Sequence, residues 1–358
     1  MSEAVRTPRI PSLDGIRALS IGLVLVGHTF QKSTGSSPSS LPWNVLGNGS
    51  LGVEIFFLIS GYLITRLLLT EFAQSHRISL SKFYLRRVFR IFPALYAYCA
   101  VLFLLVILRL IDVSLGSFVS ALTFTTNYSP YAEAEALAHI WSLSIEEQFY
   151  LLWPACLSLL LSLKDRRFVV RCVIVLILIS PLLRLGTHVW GSDFLASRIY
   201  VSLHTRMDAL MFGCLIALLE GGKSFESFFA KFGRYSIVFA GAVLVVSPIL
   251  TRAFGGRYVY LIGYTLEGAV FSLAILWLVR NPATKLGRMF NGPAVVHVGV
   301  LSYSLYLWQQ LLISTSLIPS KWIIASLLLT IFFAEVSYRF VEEPFLRLRQ
   351  RLENVRTP

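Results

Sequence analysis

The sequence predicts an all-α fold: a polytopic membrane helix bundle of about ten transmembrane helices with both termini cytoplasmic. Three observations carry that expectation. Hydrophobic residues make up 56% of the 358 and charged residues only 14%, where a soluble domain has about 25% charged, so the charges needed for a water-facing surface are missing. Apolar stretches of bilayer length, about 17–25 residues, recur along the whole chain. The 32 Lys and Arg, set against 19 Asp and Glu for a net charge of +13, collect on alternate connections between those stretches, as membrane topology requires. An ordinary cytosolic enzyme is excluded. The basic residues are spread over six separate segments, which argues against a nucleic-acid surface.

The spans fall at roughly 13–30, 50–69, 91–111, 143–163, 168–186, 200–219, 236–250, 258–279, 295–317 and 322–342. The first follows Arg6 and Arg9 and contains Arg17; no small-residue cleavage site follows Val26, so it reads as an uncleaved span rather than a signal peptide. The second carries Glu54 towards its outer end. The third is preceded by Arg86, Arg87 and Arg90. The fourth and sixth are more polar than a plain anchor, and the seventh is short. The fifth, eighth, ninth and tenth also reach bilayer length. With ten spans, 22 of the 32 basic residues lie on one side and seven on the other, which assigns the richer side to the cytoplasm. The opposite loops differ in composition: 31–49 is rich in Ser, Gly and Pro, and 112–140 holds Asp112, Glu133 and Glu135 without a Lys or Arg. The expectation is one transmembrane domain over residues 1–358. The four cysteines, Cys99, Cys156, Cys172 and Cys214, lie in apolar stretches and read as small hydrophobes.

Ionisable groups inside a span cost a few kcal/mol on insertion scales, so each is a functional candidate. Arg17 and His28 are eleven residues apart, about 20° past three full helical turns and about 16.5 Å along the axis; both point to one face, Arg17 near the cytoplasmic end. Taken singly, Arg17 also fits snorkelling to the interface. Glu146 and Glu147 open the fourth span at the outer level, where a carboxylate can orient a histidine, or serve the helix dipole. Ser60-Gly61 permits close approach of a helix or a ligand. Arg86, Arg87 and Arg90 suit phosphates, which arginine grips bidentately, and equally suit anionic lipid. Arg206 and Asp208 read as mutually compensated. Ser302, Tyr303, Ser304, Tyr306, Trp308, Gln309 and Gln310 suit a hydroxyl-rich ligand or an aromatic belt. The six scattered histidines form no metal pattern, and no Walker loop, dinucleotide fingerprint or nucleophile elbow is present.

Taken in order, these residues resemble the acyltransferase-3 family of integral membrane acyltransferases. The matching segments are Leu13 to Arg17 with His28, Phe56 to Leu63 (FFLISGYL), Arg86 to Pro93 (RRVFRIFP), Trp141 to Tyr150 (WSLSIEEQFY), Tyr303 to Trp308 (YSLYLW) and Tyr338 to Phe345 (YRFVEEPF). Many relatives have histidine where this chain has Gln309, so that position receives no catalytic role. Larger relatives add a soluble esterase-like domain, which is not expected in this chain. The resemblance implies a multi-pass protein of the bacterial inner membrane that moves an acyl group, usually acetyl, from cytoplasmic acetyl-CoA to a hydroxyl of an envelope carbohydrate such as lipopolysaccharide or an exopolysaccharide. No metal is implied. His28, Arg17, Glu146 and Glu147 are then the catalytic candidates. Arg86, Arg87 and Arg90, with Tyr62, Ser60 and Gly61, would take the coenzyme, its arm threading past Arg17 and Tyr62. Glu54, Trp141, Tyr150, Arg206, Asp208, Tyr303 and Trp308 would face the acceptor. His28 would act as general base on the sugar hydroxyl or carry the acyl group covalently. A macrolide-like small-molecule acceptor and a flippase of an envelope glycan intermediate are the competing readings; the flippase would expect inverted repeats, and none stands out. The oligomeric state is not legible.

Overall fold

The computed structural model describes residues 10–35, 41–130, 134–191 and 197–355. Arg6, Arg9, Glu133, Arg356 and part of the 31–49 loop lie outside them. Among the described residues every regular element is helical. In chain order the helices are α1 (Pro11–Thr34), α2 (Leu41–Leu46), α3 (Gly49–Ser75), α4 (Leu80–Ile107), α5 (Leu115–Leu122), α6 (Ile140–Leu163), α7 (Arg166–Trp190), α8 (Leu203–Leu219), α9 (Lys223–Phe232), α10 (Tyr235–Phe254), α11 (Tyr264–Arg280), α12 (Lys285–Phe290), α13 (Pro293–Gln309), α14 (Ile323–Ser337) and α15 (Glu343–Val355). Single π-helical turns precede α11 (Val259–Gly263), follow α13 (Gln310–Ser314) and follow α14 (Tyr338–Glu342).

All ten expected spans fall on helices. Among the described residues seven helical stretches are long and apolar enough to cross a bilayer. The other three expected spans fall on α6, α8 and α13: α8 has 17 residues, α6 carries the Glu-Glu-Gln run, and the Gln-Gln run straddles the end of α13 and the π-helical turn after it. Apolar side chains stay exposed along the outward faces of α7, α10 and α14, among them Leu178, Val238, Phe239, Ile324 and Leu328. A water-facing surface does not tolerate contiguous apolar area on that scale. This is a multi-pass membrane protein.

The described chain forms two compact units. The first comprises residues 79–144 and those from 300 onward, with residue 10. In it α4 packs on the Tyr338–Glu342 turn and on α15. The second comprises Pro11–Ile78 and Ile145–Gly299. Its centre is the pair α3 and α8, flanked by α1, α7 and α11. That crossing is close because glycine meets backbone from both sides. A Cβ on Gly61 would lie 2.0 Å from the Leu210 carbonyl oxygen, and one on Gly213 would lie 2.2 Å from that of Leu58. Small residues at a contact let helix backbones approach, which is how membrane helices gain van der Waals attraction without a hydrophobic drive.

One expectation about charge is corrected here. Arg206 and Asp208 are not each other's ion-pair partners. Residues two apart on a helix point to different faces, and each turns to another helix: Arg206 pairs with Glu54 on α3 at 3.3 Å, and Asp208 pairs with Arg184 on α7 at 2.9 Å. Arg184, two residues from the end of the expected span 168–186, is fully buried. The helix that carries it runs on to Trp190, about 9 Å further at 1.5 Å per residue.

Candidate functional site

Three polar clusters of the second unit are built from the expected residues. The first joins α3 to α6. Ser60 donates its hydroxyl to Glu146 Oε1 at 2.8 Å, and Tyr150 donates to Ser60 Oγ at 2.9 Å. Tyr150 is one helical turn beyond Glu146 and reaches its other oxygen at 3.5 Å. Hydroxyls donated to a carboxylate are charge-assisted and hold its orientation. Of the two adjacent glutamates, Glu146 is the one held by the Ser-Gly motif of α3; Glu147 is half-buried on the same helix.

The second cluster lies on α1. Arg17 Nη1 bonds Asp14 Oδ1 at 2.8 Å across one turn, so the aspartate of the opening motif fixes the arginine. His28, half-buried, sits near the other end of α1. The preceding residue, Gly27, packs on the segment between α2 and α3: its Cβ position lies 2.5 Å from the Gly47 carbonyl oxygen. Only glycine lets the two backbones touch there.

The third cluster is a buried layer of charge joining α3, α7, α8 and α11. Arg184 is saturated: Nε donates to the Tyr260 carbonyl (2.5 Å), Nη1 to the Thr205 carbonyl (2.6 Å) and Nη2 to the Thr265 hydroxyl (2.7 Å), which in turn donates to Asp208 Oδ2 (2.8 Å). Arg206 is different. Its guanidinium lies 3.6 Å from the centroid of the Tyr264 ring and 5.4 Å from that of Tyr200. Its Nε and Nη1 and the Oε1 of Glu54 are buried without a hydrogen-bond partner. A buried pair left part-satisfied carries the cost of unmade bonds, partly offset here by two aromatic faces.

Of the other expected residues in this unit, Gly61 is consumed by the contact with α8. Tyr62 donates to Glu220 Oε2 at 3.1 Å and accepts from Arg66 Nη1 at 2.9 Å. The same end of the unit holds Arg280 against Glu220 and Glu226.

The first unit carries the remaining candidates. Arg86, Arg87 and Arg90 are half-buried on the first turns of α4. Arg87 lies over the Phe83 ring at 5.5 Å, and Arg90 is an electrostatic neighbour of Glu342, which accepts from the Ser304 hydroxyl. Tyr303 donates to the Ile91 carbonyl at 2.8 Å, tying α13 to α4. Trp308 is a core residue, stacked on Phe333 at 5.1 Å and edge-on to Tyr98 at 5.5 Å. Trp141 is half-buried in the first turn of α6.

Among the participants not singled out from sequence are Asp14, Arg184, Tyr200, Tyr264, Thr265 and Glu267, the last an electrostatic neighbour of Glu54. Glu267 had a visible signal, an acidic residue inside the apolar span 258–279. Tyr264 had none, since a tyrosine near a span end is what an aromatic belt also produces.

A family model described as an acyltransferase domain matches residues 10–340. The peptidoglycan O-acetyltransferase OatA of Listeria monocytogenes is 29% identical over 94% of this chain and 55% of its own. The O-acetyltransferase OatA of Staphylococcus aureus is 30% identical over 96% of this chain and 58% of its own. The chain thus spans a little over half the length of these relatives. No solved structure matches.

Proposed function

Because the chain belongs to the acyltransferase-3 family, we propose that it is an O-acetyltransferase of the bacterial cytoplasmic membrane, moving acetyl from cytoplasmic acetyl-CoA to a hydroxyl of an envelope carbohydrate. The observation that carries this reading is the Ser60–Glu146–Tyr150 cluster: a carboxylate that accepts from the Ser60 hydroxyl, itself held by Tyr150, inside an apolar helix pair. An anchor or scaffold has no use for such a group, whereas base catalysis in a low-dielectric site depends on one. The relatives act, by their names, as O-acetyltransferases, one of them on peptidoglycan, which favours a carbohydrate acceptor.

In this reading His28 accepts the proton of the acceptor hydroxyl while its oxygen attacks the thioester carbon. The carbon–oxygen bond forms, the carbon–sulfur bond breaks, and the proton passes from His28 to the departing thiolate. Glu146 stabilises the imidazolium. Arg86, Arg87 and Arg90 take the coenzyme's phosphates, a planar fork matched to phosphate oxygens. Arg17, fixed by Asp14, supplies positive charge on the His28 face of α1.

The test uses membranes containing the full chain, labelled acetyl-CoA and an envelope polysaccharide fraction. His28→Ala is expected to insert normally and to lose transfer. Acetylation near the wild-type rate by that variant overturns the base assignment. Transfer from a donor other than acetyl-CoA overturns the donor assignment.

A further inference from the structure

The second unit holds a cavity of about 640 Å³, lined by residues before α3, at the end of α10 and around the turn that leads into α11. The lining is mixed in a particular way. Asn44 and Ser50 present an amide and a hydroxyl, Asn48 adds the NH2 of an amide whose oxygen caps α3 at Leu51, Tyr200 and Tyr264 present aromatic rings, and Glu267 presents a carboxylate. Ser247, also in the wall, donates its hydroxyl to Glu267 Oε1 at 2.5 Å. That bond fixes the carboxylate and leaves its second oxygen as an acceptor. The rings are braced from behind by Arg206, stacked on both.

Ligand pockets run to about 300–1,000 Å³, so the volume suits a ligand of one to a few sugar rings. The chemistry narrows the class further. A lipid tail has no use for two amides, a hydroxyl and a carboxylate, whose burial against hydrocarbon would be costly. A polyphosphate would meet the Glu267 carboxylate, with Arg252 the one basic residue of the wall among the described residues. A neutral polyol meets neither objection. Its hydroxyls donate to a carboxylate and exchange bonds with amides, and its C–H faces carry the slight positive charge that an aromatic face attracts.

The position adds a second argument. Gly47 is part of the cavity wall, and its carbonyl is the atom against which Gly27 packs. The backbone next to His28 is therefore in contact with the wall. Glu54 lies further along α3 from Asn48 and Ser50, and it pairs with the Arg206 that braces the rings.

We propose that this cavity is the acceptor subsite, taking a short stretch of neutral carbohydrate with Tyr200 and Tyr264 as stacking platforms and Glu267 as the hydroxyl acceptor. The assignment rests on the acetyl-transfer reading for its role, and on the cavity's own chemistry for its ligand.

The experiment uses the full chain in nanodiscs and a β-linked N-acetylglucosamine tetrasaccharide as probe, with binding measured by calorimetry and transfer measured with labelled acetyl-CoA. Thr251→Trp plugs the wall from an exposed position, and Glu267→Gln keeps the shape while weakening the acceptor. Both are checked for wild-type elution and melting. Each is expected to weaken tetrasaccharide binding, and to raise its KM, at least tenfold, with the KM for acetyl-CoA within twofold. Wild-type binding by both variants overturns the subsite, and so does a wild-type protein that does not bind the tetrasaccharide. Binding that depends on Thr251 and Glu267 without any acetyl transfer keeps the subsite and overturns the reaction.

Discussion

At the scale of single residues the sharpest distinction is between two neighbouring glutamates that sequence alone could not separate. Glu146 is held by Ser60, which itself accepts from Tyr150, and the proposed reaction sets it beside the imidazolium of His28. Glu146→Gln is expected to lower kcat by about 10²–10⁴-fold, the usual range for acid–base assistance, with the KM for acetyl-CoA little changed. Ser60→Ala removes two hydrogen bonds, the one to Glu146 and the one from Tyr150, each worth about 1 kcal/mol, and is expected to cost about tenfold. Steady-state rates of the three single variants decide it: a larger loss for Glu147→Gln than for Glu146→Gln overturns the assignment. A second residue-level expectation concerns pH. Glu226, outside the spans, accepts from Arg280 at 2.7 Å and 2.9 Å and from the Gly221 amide at 2.9 Å. Those bonds pull its carboxyl from the ordinary 4.5 down to about 2. A depressed carboxylate contributes stability above its ordinary value and loses it as pH falls towards the folded one. The melting temperature is therefore expected to fall between about pH 5 and pH 2, with a shallower slope for Glu226→Gln. Equal slopes in the two proteins would remove the linkage.

At the scale of elements, stability in this bundle comes from close crossings and from a few satisfied charges rather than from apolar burial. Replacing Gly213 with Leu drives a side chain into the backbone of α3 at Leu58. Overpacking of this kind costs about 1–3 kcal/mol, and the expected readout is a lower melting temperature in detergent. The Arg184–Asp208 pair is fully buried, and Asp208→Asn leaves the arginine uncompensated at a cost of about 3–5 kcal/mol. The double change Arg184→Met with Asp208→Leu is expected to cost clearly less than the two single changes summed; strict additivity in that cycle would show that the pair is not coupled. The same helices show what the sequence could and could not convey. Every span fell on a helix because twenty apolar residues in a bilayer have one way to satisfy their backbone. The shared face of Arg17 and His28 followed from helical spacing. Partnership did not, because the spacing that separates Arg206 from Asp208 says nothing about which helix stands opposite. Glu54 and Arg184 are 152 and 24 positions away from their partners. Their pairing is decided by how α3, α7 and α8 pack. The role of Gly61 was open for the same reason: contact with a helix and contact with a ligand place the same demand on a residue without a side chain.

At the scale of the whole molecule, the scarcity of charge and its uneven distribution are one property seen twice. Most basic residues are accounted for by topology, at about 1 kcal/mol each where anionic lipid lies near, and those left within helices are tied into clusters. The donor assignment depends on that topology being right, since Arg86, Arg87 and Arg90 serve a cytoplasmic coenzyme only if their end of α4 faces the cytoplasm. The loop holding α2 and the connection holding α9 are predicted to lie on opposite sides of the membrane. Leu46 and Ser224 are exposed in them, so a cysteine at either is reachable by an impermeant thiol reagent. The four native cysteines lie within apolar helices and provide the background, measured in the parent protein. Leu46→Cys is expected to label in intact cells, and Ser224→Cys only after permeabilisation. The reverse pattern would place the arginine triplet on the outer side, away from any pool of acetyl-CoA, and the proposed direction of transfer would fall with it. Labelling of both in intact cells would mean that the chain does not span in the order that its charges dictate.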